Sequence, residues 1–284
     1  MSRRAAPEAN SAAEGEGTPV TAQAGWSSLR VRSDKVRALA HVSIHNPPLG
    51  VLNQTVRREL GSFFLEAQDD AGVRCVVFES GERSFCAGAD LREYAMRFDA
   101  AVARAHVENA HRMILALVDL DTPTIASIRG PCMGGGLELA MGCGMRIASQ
   151  SATFALPEVH RGAWPGTGGC VLLARLVRPS LAKRLLYTGE TFDAATACKI
   201  GLIDEVVDDD ALDARVHALA AGIAEQPRSS IRTMARLVDR DFRASFRAHL
   251  QYEAECFVQA YQLPAAREGY AAFFEKRPPR WQRA

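Results

Sequence analysis

The sequence predicts an α/β fold with mostly parallel strands. Short continuous apolar runs, Cys75–Phe78 and Thr124–Ile128, have the length and composition of strands buried on both faces. Stretches with helical spacing separate the strands, as in a parallel sheet with crossover helices. Glycine clusters stand where strands give way to helices, at Gly134-Gly135-Gly136 and around Gly166 to Gly169.

Taken in order, residues 1 to 25 are rich in Ala, Glu, Gly, Ser and Thr, and read as a disordered leader. They lack the apolar run of a secretory signal. Glu8, Glu14 and Glu16 offset Arg3 and Arg4, which argues against a transit peptide. Leu29–Val31 and Ala38–Ile44 read as short strands, broken by Asn46-Pro47-Pro48. Val56–Ala67 has helical spacing. After Cys75–Phe78 a loop runs from Ser80 to Asp90, and one long helical stretch continues to Asp121-Thr122-Pro123. Beyond the Thr124–Ile128 strand, a short helix spans Leu137–Cys143, with brief strands at Met145–Ala148 and Thr153–Ala155. Past Asp208 the strands stop. Ala211–Phe274 reads as consecutive helices, broken at Gln226-Pro227 and Leu263-Pro264. The expected division is a leader over 1–25, a core over 26–208 and a helical region over 209–284.

Composition narrows the function. The 284 residues carry a formal net charge of +1, so neither a nucleic-acid nor a membrane-surface partner is expected. The longest charge-free stretch, Ala38 to Val56, holds two His and two consecutive Pro, which does not suit a membrane span. Seven cysteines without a CxxC pair point to reduced thiols in a cytoplasm rather than disulfides or zinc.

Three consecutive glycines at a strand-to-helix junction let a ligand approach the backbone. Their N–H groups then lie at a helix N-terminus, which favours negative charge. Glu138 follows in the first turn among Leu137, Leu139, Ala140 and Met141, so a part-buried carboxylate is expected. The helix dipole alone also places Glu at such positions on a surface. In Ser84-Phe85-Cys86-Ala87-Gly88-Ala89-Asp90, Asp90 reads as an N-cap, and Ala87 to Ala89 as a second backbone N–H site. Glu158 is either a capping residue or the partner of Glu138 in an acid–base pair. Gly130-x-Cys132-x-Gly134 has the form of a nucleophile elbow with Cys for Ser, but Cys132 reads better as a small buried residue. His111 and Glu108 are helix-spaced and expected to face solvent. The basic end, Lys276, Arg277, Arg280 and Arg283, reads as a solvated tail able to meet an anion.

Together these motifs resemble the enoyl-CoA hydratase/isomerase (crotonase) family. The residues that carry the resemblance are Asn46-Pro47-Pro48 with Asn53, Ser84 to Leu91, Gly134 to Ala140, Phe154 to Glu158, Pro165 to Gly169, Gly201 to Val207, and Glu268-Gly269 with Phe274 to Arg277. It implies a spiral of ββα repeats whose helical C-terminal region packs into homotrimers or dimers of trimers. The implied ligand is an acyl-CoA thioester bound along Ala87, Gly88, Ala89 and Asp90, with no metal and no cofactor beyond the CoA of the substrate. Two backbone N–H groups, matched to Ala87 and Gly135, would hold the thioester oxygen. Two carboxylates at Glu138 and Glu158 imply hydration of a 2-enoyl-CoA, with Glu138 acting on the water and Glu158 delivering a proton to Cα. Isomerisation and thioester hydrolysis are the alternatives on the same fold. A Cys132 hydrolase and a CoA-binding scaffold without turnover are further ones. This chain departs from the family at Cys170-Val171-Leu172-Leu173, at His160-Arg161 with Trp164, and at Gly144. The first two flank the expected acyl pocket and leave a polar or unusual acyl group open.

Overall fold

A computed structural model describes residues 21–22, 25–81 and 83–281. Apart from Thr21, Ala22 and Gly25, the expected leader lies outside the described residues, as does Arg283.

Strand β1 (Thr21–Ala22) pairs antiparallel with β2 (Leu29–Asp34), which pairs antiparallel with β3 (Leu39–Ile44). Helix α1 (Gln54–Asp69) starts where Asn53 Oδ1 accepts the Val56 N–H at 2.8 Å, two residues earlier than periodicity alone predicts. β4 (Cys75–Glu79) then joins β3 in parallel. The expected long helix is in fact three pieces. Asp90 caps a 3₁₀ turn at Leu91–Glu93, a second 3₁₀ turn spans Ala95–Phe98, and Asp99 caps α2 (Ala100–Val118). Each Asp side chain takes backbone N–H groups just ahead of it, which restarts the helix and redirects the chain.

β5 (Thr124–Ile128) is followed by β6 (Pro131–Met133) and α3 (Gly135–Gly142), then by β7 (Met145–Ser149) and β8 (Thr153–Ala155). Next come α4 (Gly169–Leu176), α5 (Pro179–Thr188), β9 (Phe192–Asp193), α6 (Ala194–Lys199) and β10 (Glu205–Val207). Helices α7 (Leu212–Ala224), α8 (Arg228–Gln262) and α9 (Pro264–Phe274) complete the chain, with breaks at the two expected Pro positions.

The main sheet runs β1-β2-β3-β4-β5-β7-β10 and is parallel from β3 onward. A smaller sheet, β6-β8-β9, stands beside it. Alternate residues of the central strands point to opposite faces. On one face Leu39, Cys75, Val77, Ile125 and Ile147 meet Leu212, Val216, Ala220 and Ala224, one stripe of α7. On the other, Val76, Phe78, Ala126 and Ile128 meet the large core that includes α1, α2 and α3. Burial on both faces explains why these strands read as unbroken apolar runs. The C-terminal half of α8 buries Phe246, Leu250, Glu253, Phe257 and Tyr261, packing on α2 and on the loop of Gly166 and Gly168.

Candidate active site

β6 leads straight into α3, and the turn between them is the centre of the site. Gly134 sits at φ +51°, and a Cβ there would collide with Glu158 Oε1. A Cβ on Gly136 would collide with the Cys86 carbonyl. Both positions therefore require glycine, and their closeness brings three segments together. Cys86–Asp90 is laid against β6 by Met133 N–H donating to Cys86 O at 2.9 Å.

Ala87 does not stand where the resemblance places one of the two backbone donors. Its N–H donates to Leu49 O at 3.1 Å and is turned away from the site. Leu52 N–H donates to Gly88 O, and Asp90 N–H to Leu52 O, as in a short parallel ladder. Asp90 N–H points to Leu52, so the neighbouring Ala89 N–H faces the other way; Gly88, at φ +94°, breaks the alternation between Ala87 and Ala89. Among the described residues Ala89 N–H has no acceptor, and neither does Gly135 N–H. A Cβ built on Gly135 would lie 3.7 Å from Ala89 N, and one on Gly88 would lie 3.6 Å from Gly135 N. Two unengaged amides thus stand side by side. Asp90 itself is structural: its carboxylate takes Arg92 N–H at 2.9 Å and grips the Arg92 guanidinium.

Glu138 is buried more deeply than its sequence context predicts, at 2% exposure. Its Oε1 accepts N–H groups from Thr167 at 2.7 Å and Gly169 at 2.9 Å. Its Oε2 lies on the side of Gly135. Glu158 sits in the 3₁₀ turn Pro157–Arg161, with Oε1 beside Gly134 and Oε2 without a partner. Both carboxyls are pushed above the ordinary range, chiefly by burial. The charges of Glu158 and then Glu253 raise Glu138 further, while the two amide bonds pull it back. Arg161 pulls Glu158 down. The two carboxyls interact, so their titrations are linked. Two amide bonds favour charge on Glu138, whereas Oε2 of Glu158 has no partner among the described residues.

Sequence reasoning missed Glu253 and misplaced His111. Helix α2 is covered on two sides, by α1 and α8, so His111 is only 7% exposed and its Nε2 lies 3.0 Å from Glu253 Oε1. The same oxygen accepts Gly168 N–H at 2.9 Å. Burial alone would raise the Glu253 carboxyl, but bonds from His111 and His249 and the Gly168 amide hold it below its usual value. Three successive amides, 167 to 169, are thereby divided between two buried carboxylates. Only the Gly-rich composition of that loop signalled a role for it.

Cys132 is fully buried, and desolvation drives its thiol well above the normal value. His160 lies elsewhere, exposed, with Nε2 at the Thr188 carbonyl. The elbow-like motif therefore has no base, and Cys132 is a packing residue. Above the two amides opens a cavity of about 200 Å³, walled by Tyr94, Arg97, Glu158, Arg161 and Tyr261. Trp164 instead packs among Tyr94, Phe257 and Tyr261.

The chain matches the enoyl-CoA hydratase/isomerase family over residues 34–284. It belongs to that family. A probable enoyl-CoA hydratase of Bacillus subtilis is 34% identical over 245 residues, 86% of this chain and 95% of the relative. A crotonyl-CoA hydratase of Syntrophomonas wolfei is 32% identical, covering 86% and 94%. Among solved structures, a carnitinyl-CoA hydratase from Mycobacterium avium superimposes with a TM-score of 0.79 at 31% identity, covering 91% and 99%. An enoyl-CoA hydratase from Mycobacterium avium subsp. paratuberculosis gives 0.82 at 24% identity, which speaks to the shared fold. The crotonase-like fold class implied by the motifs is the one observed.

Proposed function

We propose that the protein is an enoyl-CoA hydratase, adding water across the double bond of a 2-enoyl-CoA thioester. The observation that carries this reading is the placement of Glu138 and Glu158 around two unengaged amides, those of Ala89 and Gly135. The thioester oxygen accepts both N–H groups. Attack at Cβ puts enolate charge on that oxygen, and fixed dipoles stabilise it without rearranging; one such donor is worth about 2.7–4 kcal/mol of barrier. Glu138 takes a proton from the water as its oxygen bonds to Cβ. Glu158 gives its proton to Cα as the enolate collapses. Atoms balance without electron transfer, so hydration requires no redox cofactor. The CoA moiety enters past Gly88 and Ala89, which border the same cavity.

Hydration of crotonyl-CoA tests the proposal. E138Q and E158Q are each expected to lose at least about 10²-fold in rate, with a 3-hydroxyacyl-CoA as the wild-type product. A shifted double bond or free CoA as the main product overturns it in favour of isomerisation or hydrolysis.

The reading includes self-association and a cytoplasmic setting. Exposed Met234 and Val238 on α8 border an apolar groove of about 510 Å³, which supports packing against further copies. A trimeric or hexameric mass in light scattering is expected, and a monomer removes the assembly. All seven cysteines are free thiols, as in a reducing compartment. Among the described residues no helix is long and apolar enough to cross a membrane.

A further inference from the structure

The cavity is lined by two arginines, Arg97 and Arg161, against one carboxyl, Glu158. Arg97 is 3% exposed and lies between the rings of Tyr94 and Tyr261, its Cζ 5.5 Å from each centroid. Its Nη1 donates to Tyr261 Oη at 2.9 Å. Its Nε and Nη2 have no partner among the described residues. Those two N–H groups form one edge of the guanidinium, the edge that makes two parallel bonds to a carboxylate; both atoms are enclosed here, so a ligand reaches them as Arg97 turns toward the cavity that it lines. Arg161, half-buried across the same cavity, also has an unpartnered Nε.

Among the described residues no carboxylate bonds to the Arg97 guanidinium. Behind it, Arg57 is buried beside Glu93 at 3.7 Å and also feels the charges of Asp90 and Glu138. Desolvation, followed by the charge of Arg97, pushes the Arg57 group down to about 10. Burial, with both arginines behind it, keeps His106 neutral. Two tyrosine faces moderate the charge of Arg97, but they accept none of its edge N–H groups. Buried donors of this kind are ordinarily paired.

We propose that the distal end of this cavity receives a carboxylate carried on the acyl chain, so that the substrate is a short 2-enoyl-CoA with an acidic end. Arg97 grips the carboxylate edge-on and Arg161 adds charge from the opposite wall. The cavity of about 200 Å³ keeps the carboxylate a few bonds from the reacting carbons. The inference rests on the hydratase reading for the reaction, but not for the binding.

Paired ligands separate the two. Glutaryl-CoA and pentanoyl-CoA differ only in a carboxylate replacing a methyl group, and neither reacts. Calorimetric titration of the full chain is expected to show glutaryl-CoA binding at least about 10²-fold more tightly. R97M brings that ratio close to unity, and R97K, which keeps the charge but not the edge, gives an intermediate value. Equal binding of both ligands by the wild type overturns the inference, as does a ratio that survives in R97M. Should R97M not fold, the wild-type and R97K ratios decide. Hydration of glutaconyl-CoA against pent-2-enoyl-CoA completes the test. If neither is hydrated while binding remains selective, the hydratase reading fails and the acid-binding wall stands. If both are hydrated with equal kcat/KM, the reverse holds.

Discussion

In the proposed reading, the chemistry at the thioester end of the cavity comes from main-chain amides and two carboxylates, carried by Cys86–Asp90, Gly134–Glu138 and Pro157–Arg161. At the acyl end it comes from long side chains, Tyr94, Arg97, Arg161 and Tyr261, borne by 3₁₀ turns and by α8. The first end is fixed by close backbone approach and tolerates no added atom. The second is fixed by side-chain stacking and can be trimmed. Changes at the first should thus lower turnover for every substrate, and changes at the second should alter which substrate is preferred.

The largest effect is expected from Gly136→Ala, whose Cβ would strike the Cys86 carbonyl. Separating the two amide-bearing segments should cost at least about 10³-fold in kcat for all acyl chains, since both oxyanion donors move. A kcat within about tenfold of wild type would show that the close approach is dispensable. Next comes Glu253→Ala, which leaves Gly168 N–H and His111 unpartnered behind the loop that holds Glu138. About a 10–100-fold loss in kcat with little change in KM is expected, by analogy with other groups that orient a functional side chain. Glu253→Gln should recover most of it, because a Gln oxygen can still accept from Gly168.

The same pair of variants sharpens the pH profile. Both catalytic carboxyls titrate above their unfolded values, so the pair holds its last proton into the neutral range. Rate should fall as pH rises through those raised values and the pair loses its last proton. Glu253 charge contributes to the rise at Glu138, so Glu253→Gln should move the alkaline limb to lower pH. An unmoved limb would separate Glu253 from the titration. Stability follows the same sign: the native state binds more protons than the unfolded chain, so this contribution is full below the unfolded value and is lost as pH rises to the folded one. The smallest effect is expected at the acyl end. Tyr94→Phe removes a bond of 2.7 Å to the Arg161 carbonyl. It should cost about 1 kcal/mol in unfolding measurements and change acyl preference more than crotonyl-CoA turnover.

This contrast also sets what could be read from the chain. Gly134 to Glu138 is contiguous, and its composition states its purpose. Most strands were legible because sheet burial on both faces leaves an apolar run. One error, Ala87 for Ala89, came from Gly88, whose φ of +94° interrupts the extended run so that amides two residues apart face different ways, a distinction that composition does not carry. Arg97 lay inside a stretch that reads as continuous helix, and its hydroxyl partner is 164 residues away. His111 was misread because a helix covered on two sides keeps no simple solvent face. These contacts are made by tertiary packing, which no local pattern records.

Glu253, Phe257 and Tyr261 recur at four-residue intervals along α8, one turn above another. The first accepts the Gly168 N–H in the loop that holds Glu138, and the last lines the cavity. One helix thus carries both a loop anchor and a cavity wall, so any change in the tilt of α8 would move the two together.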